Sequence, residues 1–374
     1  MLARFWKTEN SNNRHMKLYH ILFTLLLTAL SGLATAQPSA VKKALRSAFK
    51  ITTFKADGTL NGTAYGAFLS EEGEAISAWT PFEGAATAAV IDMQGNKYDV
   101  DVIYGVSDMY NLVRFKVKTP KKGGPMAATT EQTAQPVGSE AWCTRYSGKS
   151  TTAQKLAVTK AETFMTSLPY YVIEQTDNSF GDDMVGTPIY NAQGQLMGLM
   201  NTSSMRTDLH VASAQLAQTL VPSGLSLNDF TLRKTKIRLA LPTDYNHAMI
   251  ALLLAEKRCD DDTYEAMIND FIASFPDKED GYVSMIQLLT KKKQFKEAED
   301  FFNEALKATG ETGSMHYSFF KTIVQKETQM ADTPYEGWSL QKALEELDKA
   351  IALQPDVELY KQQRELLIKE MEAK

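Results

Sequence analysis

The chain has 374 residues, of which 44% are hydrophobic and 23% are charged, a composition typical of a folded protein with two or three domains. Its 40 Lys and Arg residues and 45 Asp and Glu residues give a formal net charge of -5, which argues against the basic face of a nucleic-acid-binding protein. The two cysteines, Cys143 and Cys259, fall in different predicted domains. This placement favours two isolated thiols, and a single disulfide between the domains is the alternative.

The first 36 residues have the features of a secretory signal peptide. Lys17 precedes an apolar run over residues 21–30, and residues 34–36 read Ala-Thr-Ala, an A-x-A cleavage site. The apolar run is short for a membrane span. A signal peptide that starts at Met16 fits the usual pattern better than one that starts at Met1. We therefore predict cleavage after residue 36, export to the periplasm or beyond, and no transmembrane segment in the mature chain.

Short β-strands are predicted from residue 45 onward. The segment from Ala48 to Phe54 is followed by an Asp-Gly turn, and further short strands continue to about residue 118. Residues 119–136 are rich in Lys, Gly, Pro, Ala and Thr, which is typical of a connector, and a second set of strands runs to about residue 211. Regularly spaced short strands favour β-barrels or a sandwich. We place this β region at residues 37–222.

The hydrophobic period changes to 3.6 residues after residue 243, which indicates amphipathic helices. Seven helices are predicted, over residues 246–257, 263–274, 281–292, 295–309, 314–328, 340–353 and 357–373. We place a linker at residues 223–243 and a helical domain at residues 244–374.

Two of these segments resemble the second helix of a tetratricopeptide repeat. The candidate packing residues are Ala298, Phe302 and Ala305 in one copy, Ala343, Leu347 and Ala350 in the other, and Tyr282, Met285 and Leu289 on a preceding first helix. Small residues let paired helices approach, and the large residue fills the groove between them. The resemblance implies a repeat domain that binds peptides or helices, with extra chain looping out near residues 330–338. An irregular array of helical hairpins is the alternative.

The segment from Ile173 to Pro188 resembles the HtrA-like branch of the trypsin-like serine proteases. In that branch a Q-T-D motif, here ending at Asp177, is followed eight residues later by the nucleophilic serine of G-N-S-G-G-P. The matching position holds Val185, and Asp183 replaces the glycine that donates an oxyanion-hole N–H. Gly186 and Pro188 persist. The resemblance implies a trypsin-like double β-barrel in which the nucleophile is lost.

The other two catalytic positions are also changed. Residues 77–85 resemble the family's histidine loop, and Thr80 occupies the position of the general base. Residues 111–117 resemble the strand that follows the catalytic Asp, and Asn111 occupies the carboxylate position, with Asp108 interpreted as a turn residue. A serine protease needs a base, a carboxylate and oxyanion donors in register, and a threonine hydroxyl is no general base near pH 7.

Histidine is missing from the whole stretch between Gln37 and Leu209. His210 lies in the last predicted strand and is interpreted as a packing residue, and Thr187 is interpreted as an ordinary barrel residue. Without a histidine pair at ligand spacing or a C-x-x-C motif, no metal or other cofactor is predicted.

These features predict a multidomain β + α protein, a trypsin-like double β-barrel followed by an all-α tetratricopeptide-like helical repeat domain. The leading hypothesis is an exported, catalytically inactive pseudoprotease that binds polypeptides or scaffolds an assembly through the inter-barrel cleft and the repeats. The first alternative is a serine endopeptidase with displaced catalytic residues. The second is a helical-repeat adaptor for which the β domain is only a structural mount.

Overall fold

A computed structural model describes residues 37–147, 150–163, 167–174, 184–201 and 208–373. The predicted signal peptide and Asp183 lie outside these residues. In the described part of the chain, no helix is long and apolar enough to span a bilayer.

The first β-barrel is built around phenylalanine rings. Its strands are β1 Ala48–Phe54, β2 Leu60–Phe68, β3 Glu74–Ala78, β4 Thr87–Asp92, β5 Lys97–Ser107 and β6 Leu112–Val117. They close in the order β1-β2-β3-β6-β5-β4, with every described pairing antiparallel. Alternating apolar residues point inward, so the ring of Phe49 lies 4.7 Å from that of Phe68 and 6.1 Å from that of Phe115.

The second β-barrel has the same closure. Its strands are β7 Glu140–Ser147, β8 Ser150–Thr163, β9 Pro169–Glu174, β10 Pro188–Asn191, β11 Leu196–Asn201 and β12 Asp208–Ser213. They close in the order β10-β11-β12-β9-β8-β7. Cys143, Tyr171 and Ile189 are fully buried in its core. Closure leaves neither sheet with a free edge strand in the residues the structure describes, so pairing of a peptide along a whole barrel strand is disfavoured.

The two barrels share an apolar interface. Tyr110 and Leu112 of the first barrel belong to one buried cluster with Trp142, Tyr190 and Leu199 of the second. The short helix α1, Ser39–Ala44, adds Val41 to the same cluster. Burial of these large side chains holds the two barrels together.

The segment predicted as a linker returns to the first barrel. Its side chains Leu232, Ile237 and Leu239 are buried in that barrel's core cluster. The backbone of this segment also bonds to the first barrel, since Lys236 N donates to Ala85 O at 2.7 Å and Leu239 forms a parallel bridge with Ile103. Residues 232–239 therefore cover part of the first barrel's core and lead into the helices.

The helical domain consists of helices packed in sequence along residues 245–373. These are α2 Tyr245–Arg258, α3 Asp261–Ser274, α4 Glu279–Lys291, α5 Phe295–Thr309, α6 Gly313–Gln329, α7 Leu340–Leu353 and α8 Glu358–Ala373. Side chains of Asp244, Asp260, Thr312 and Ser339 cap α2, α3, α6 and α7.

The predicted packing residues of the helical domain are buried, apart from the half-buried Leu289. Phe302 stacks on Phe319 with ring centroids 4.0 Å apart, which shows how closely α5 and α6 approach beside the small residues. Between α6 and α7 the chain leaves the helical pattern, and Trp338 packs there against Phe295 at 5.5 Å. Membership in the tetratricopeptide family stays a prediction.

Candidate functional site

Two of the three predicted catalytic positions are in direct contact. Thr80 begins a short 3₁₀ turn after β3, and Asn111 lies in the turn between β5 and β6. The Oδ1 atom of Asn111 accepts hydrogen bonds from the backbone N and the Oγ1 of Thr80, each at 2.8 Å. Asn111 has a φ of 48°, a left-handed conformation that asparagine adopts more readily than most residues. The structure thus joins the predicted base and carboxylate positions by a neutral hydrogen bond.

The amide of Asn111 also reaches the second barrel. Its Nδ2 donates to Oδ1 of Asn201, at the end of β11, at 3.2 Å, and Nδ2 of Asn201 lies 3.5 Å from Tyr110 O. This contact joins the two barrels at the candidate site. Sequence reasoning missed Asn201, because it belongs to no motif and its partner lies 90 residues away.

Val185 lies at the boundary between the barrels. Its backbone oxygen accepts a hydrogen bond from Tyr65 N of the first barrel at 3.0 Å, and its half-buried side chain packs against the first barrel's core. Gly186 has a φ of +82°, and a Cβ there would lie 2.3 Å from Tyr65 O. Glycine is therefore required by the close approach of the two barrels, independently of any catalytic step.

Other candidate groups have structural partners. Thr187 is fully buried, and its hydroxyl donates to Met184 O at 2.6 Å. Asp108 accepts the backbone N–H of Asn111 through its own backbone oxygen, as expected of a turn residue. Asp183 cannot be placed, since it lies outside the described residues.

Charged residues hold the loop that carries Thr80. Nζ of Lys234 lies 2.9 Å from Oε1 of Glu83 and 3.9 Å from Oδ2 of Asp108, and Nε1 of Trp79 donates to the same Glu83 oxygen at 3.1 Å. The hydrogen bond to Glu83, aided by the charge of Asp108, raises the pKa of Lys234. This ammonium thereby connects the loops on either side of the Thr80–Asn111 pair.

Aromatic side chains line the second-barrel side of this region. The ring of Tyr170 lies 6.4 Å from that of Tyr110 and 5.5 Å from the imidazole of His210. Burial raises the pKa of the Tyr170 hydroxyl, and Tyr110 adds to this effect. His210 thus packs against an aromatic ring.

The two cysteines lie in different domains. Cys143 is in the core of the second barrel, Cys259 follows α2, and no disulfide joins them. Within the described ranges, no group of three or more His, Cys, Asp and Glu residues is arranged to hold a metal ion.

The fold is a trypsin-like double β-barrel with a helical C-terminal region. It is defined by the two closed six-stranded barrels and the helices that follow them in the chain. Neither a family model nor a curated protein matches the sequence. Solved protease structures are similar in fold. The serine endoprotease from Yersinia pestis has 14% sequence identity and a TM-score of 0.42, over 50% of this chain and 65% of that one.

Two further structures are similar to the same extent. The Rv3671c protease from M. tuberculosis, in its active form, has 13% identity and a TM-score of 0.42, over 56% of this chain and 88% of that one. The HtrA-type protease AlgW, with a tripeptide, has 16% identity and a TM-score of 0.40, over 48% of this chain and 60% of that one. The chain therefore spans just under two thirds of the Yersinia pestis enzyme, and these likenesses concern the fold alone.

Proposed function

We propose that this protein is an exported, catalytically inactive pseudoprotease that binds polypeptides or scaffolds an assembly. The observation that carries the proposal is the neutral pair formed by Thr80 and Asn111, in which the hydroxyl donates to the amide oxygen at 2.8 Å. Neither group accepts a proton near pH 7, and Val185 offers no nucleophile. The region thus supplies hydrogen bonds and apolar contacts, which serve binding without bond cleavage.

The cleft retains groups suited to recognition. Thr80 is exposed, the bonded amides of Asn111 and Asn201 hold the barrel boundary beside it, and Tyr170 and His210 add aromatic surface. Aromatic and amide side chains in a fixed cleft bind peptide groups by stacking and hydrogen bonding. Closed barrels direct this recognition to side chains and loops at the cleft.

A second candidate function rests on the helical domain. A cavity of about 360 Å³ opens between α3, α4 and α6, lined by Tyr264, Gln287, Thr322 and Gln325 among others. Its volume lies in the range of ligand pockets, and helical arrays commonly bind peptides in such grooves. In this reading the helices are the adaptor and the barrels are their mount.

Inactivity is tested with a fluorophosphonate probe, which labels activated serine and threonine nucleophiles. Purified mature protein is compared with an active serine protease and with a heat-denatured sample. We expect no labelling and no release of fluorescence from labelled casein. Labelling that disappears in Thr187→Ala would refute the proposal and establish the endopeptidase with displaced residues.

Two exposed positions separate the binding alternatives. Thr80→Arg places a bulky charge at the cleft, and Gln325→Arg does the same in the helical cavity. Each variant is used as bait for co-purification from the native envelope fraction. Loss of partners with Thr80→Arg alone supports the cleft, and loss with Gln325→Arg alone supports the adaptor. A set of partners unchanged by both variants contradicts binding at either place.

A further inference from the structure

A second cavity lies where the helical domain meets the first barrel. It has a volume of about 430 Å³ and is lined by residues of the segment 227–239, the end of α2 and the start of α3. Leu232, Ile237 and Met267 give it an apolar floor. The volume lies within the range of about 300–1,000 Å³ found for ligand sites. We call it the junction cavity.

The walls of the junction cavity carry an excess of positive charge. Arg233, Lys236, Arg238 and Arg258 line it, with Asp260 as the one lining carboxylate. Arg233, Lys236 and Arg258 are exposed and form no ion pair within the described residues. Asp260 already accepts the backbone N–H of Thr263 at 2.8 Å as the cap of α3. In a chain with a net charge of -5, three unpaired cations around one cavity are a local reversal of sign.

The fourth cation, Arg238, differs from the other three because it is held in two ion pairs. Its Nη2 lies 2.9 Å from Oδ1 of Asp101 on β5, and its Nη1 pairs with Asp270 on α3. This double ion pair is only partly exposed and ties the two walls together. The cavity is therefore formed before any ligand arrives, which lowers the entropic cost of binding.

We propose that the junction cavity binds an acidic polypeptide segment that carries an apolar side chain, which rests on the polypeptide-binding function proposed above. Charge complementarity assigns the acidic groups to Arg233 and Lys236 on one wall and Arg258 on the other. The apolar floor of the cavity accommodates the apolar side chain that lies between the acidic groups of the peptide. An extended chain with alternating acidic and apolar residues meets both requirements, whereas a small inorganic anion leaves the floor uncovered.

The test uses fluorescence anisotropy of a fluorescein-labelled hexapeptide of alternating Glu and Leu, amidated at its C-terminus. Mature full-length protein is compared with the double variant Arg233→Glu, Lys236→Glu, and with Arg258→Glu. We expect binding to weaken about ten-fold or more in the double variant, and between 50 and 500 mM NaCl. The matched control, Lys307→Glu with Lys369→Glu, makes the same charge change at exposed residues outside the cavity and should change affinity less than about two-fold.

The position of binding is read from a thiol. Cys259 lines the junction cavity and Cys143 is fully buried, so maleimide alkylation of the native protein reports on Cys259. Bound peptide should slow this alkylation, and a matching Lys-Leu peptide should not. Equal weakening by the control variant, an unchanged alkylation rate, or displacement of the peptide by inorganic phosphate at the peptide's own affinity would each overturn the assignment. Capture of envelope partners that depends on Thr80 or Gln325 would still support the proposed function, so the two failures are distinguishable.

Discussion

Replacing Gly186 by alanine separates two reasons for a glycine beside Val185, its backbone conformation and its contact with the other barrel. The added Cβ would lie 2.3 Å from Tyr65 O and 3.2 Å from the Tyr65 carbonyl carbon, both in the first barrel's backbone. Gly95 is the matched control, because its φ of +87° is similar to the +82° of Gly186 and a Cβ there meets nothing within 4 Å. The difference between the two variants isolates the contact between the barrels from the backbone conformation.

The magnitude follows from three contributions. An L-residue in the left-handed region costs about 1–2 kcal/mol, partly offset by about 0.4–1 kcal/mol from a less flexible unfolded chain. Gly95→Ala should therefore destabilise by about 1 kcal/mol. Gly186→Ala adds about 1–3 kcal/mol of forced backbone displacement. It also weakens the hydrogen bonds from Tyr65 N to Val185 O and from Gly186 N to Met200 O, about 1 kcal/mol each. The total is about 4–6 kcal/mol.

Thermal unfolding of protein comprising residues 37–374 measures this difference. In domains of this size, about 1 kcal/mol corresponds to roughly 2–4 °C in Tm, so Gly186→Ala should melt about 8–24 °C lower and Gly95→Ala only about 2–4 °C lower. Tryptophan fluorescence follows the barrels through the buried Trp79 and Trp142 once Trp338 of the helical domain is replaced by phenylalanine in every protein compared. Equal Tm values for the two variants would show that the barrels do not depend on this contact, and the structural reason for the retained glycine would be refuted.

Two buried carboxylates give opposite pH dependences. Glu131 is fully buried, with one oxygen bonded to the Tyr171 hydroxyl at 2.5 Å and the other without a partner in the described residues, and burial raises its pKa to about 7. The free energy of unfolding should therefore fall by about 1–2 kcal/mol as pH rises from about 4.5 to 7, once relaxation of the protein around the charge is allowed for. Glu131→Gln should remove this dependence on pH. Identical urea midpoints of the unsubstituted protein at pH 5 and 8 would contradict the prediction. Burial alone would raise the pKa of Glu346, but hydrogen bonds from His316 and two lysines outweigh it and lower the pKa to about 2. The contribution of Glu346 is present above about pH 4.5 and is lost as pH falls towards 2. Glu346→Gln should cost about 3–5 kcal/mol at pH 7 in urea unfolding followed by the circular dichroism of the helices, and a loss under 1 kcal/mol would contradict the buried ion pair.

Local patterns predicted the elements well. The strand Ala48–Phe54 and the helices Phe295–Thr309 and Leu340–Leu353 have the bounds that alternation and helical period indicate. The contact between Thr80 and Asn111 was accessible only through the family resemblance, since 31 residues separate them. Such a contact is fixed by how the barrel closes, and closure has no signature in a short window of sequence.

Tertiary packing explains what the sequence did not predict. Residues 223–243 are short of strong periodicity and contain turn-forming residues, so a linker was the natural interpretation. Their apolar side chains nevertheless enter the first barrel. The cross-barrel partner Asn201 and the Lys234 ion pairs were missed for the same reason, because single polar residues gain meaning only from neighbours distant in the chain.

The return of residues 232–239 to the first barrel has a consequence for how the chain folds. Leu239 pairs with Ile103, and Lys236 with Ala85, so the first barrel's core closes through contacts across more than a hundred intervening residues, including the whole second barrel. Contacts of such long sequence separation form late and slow folding. Because synthesis proceeds from the N-terminus, part of the first barrel's core stays uncovered until the last strand of the second barrel has been made. Folding of the first barrel is thereby completed only after the second barrel's sequence is available.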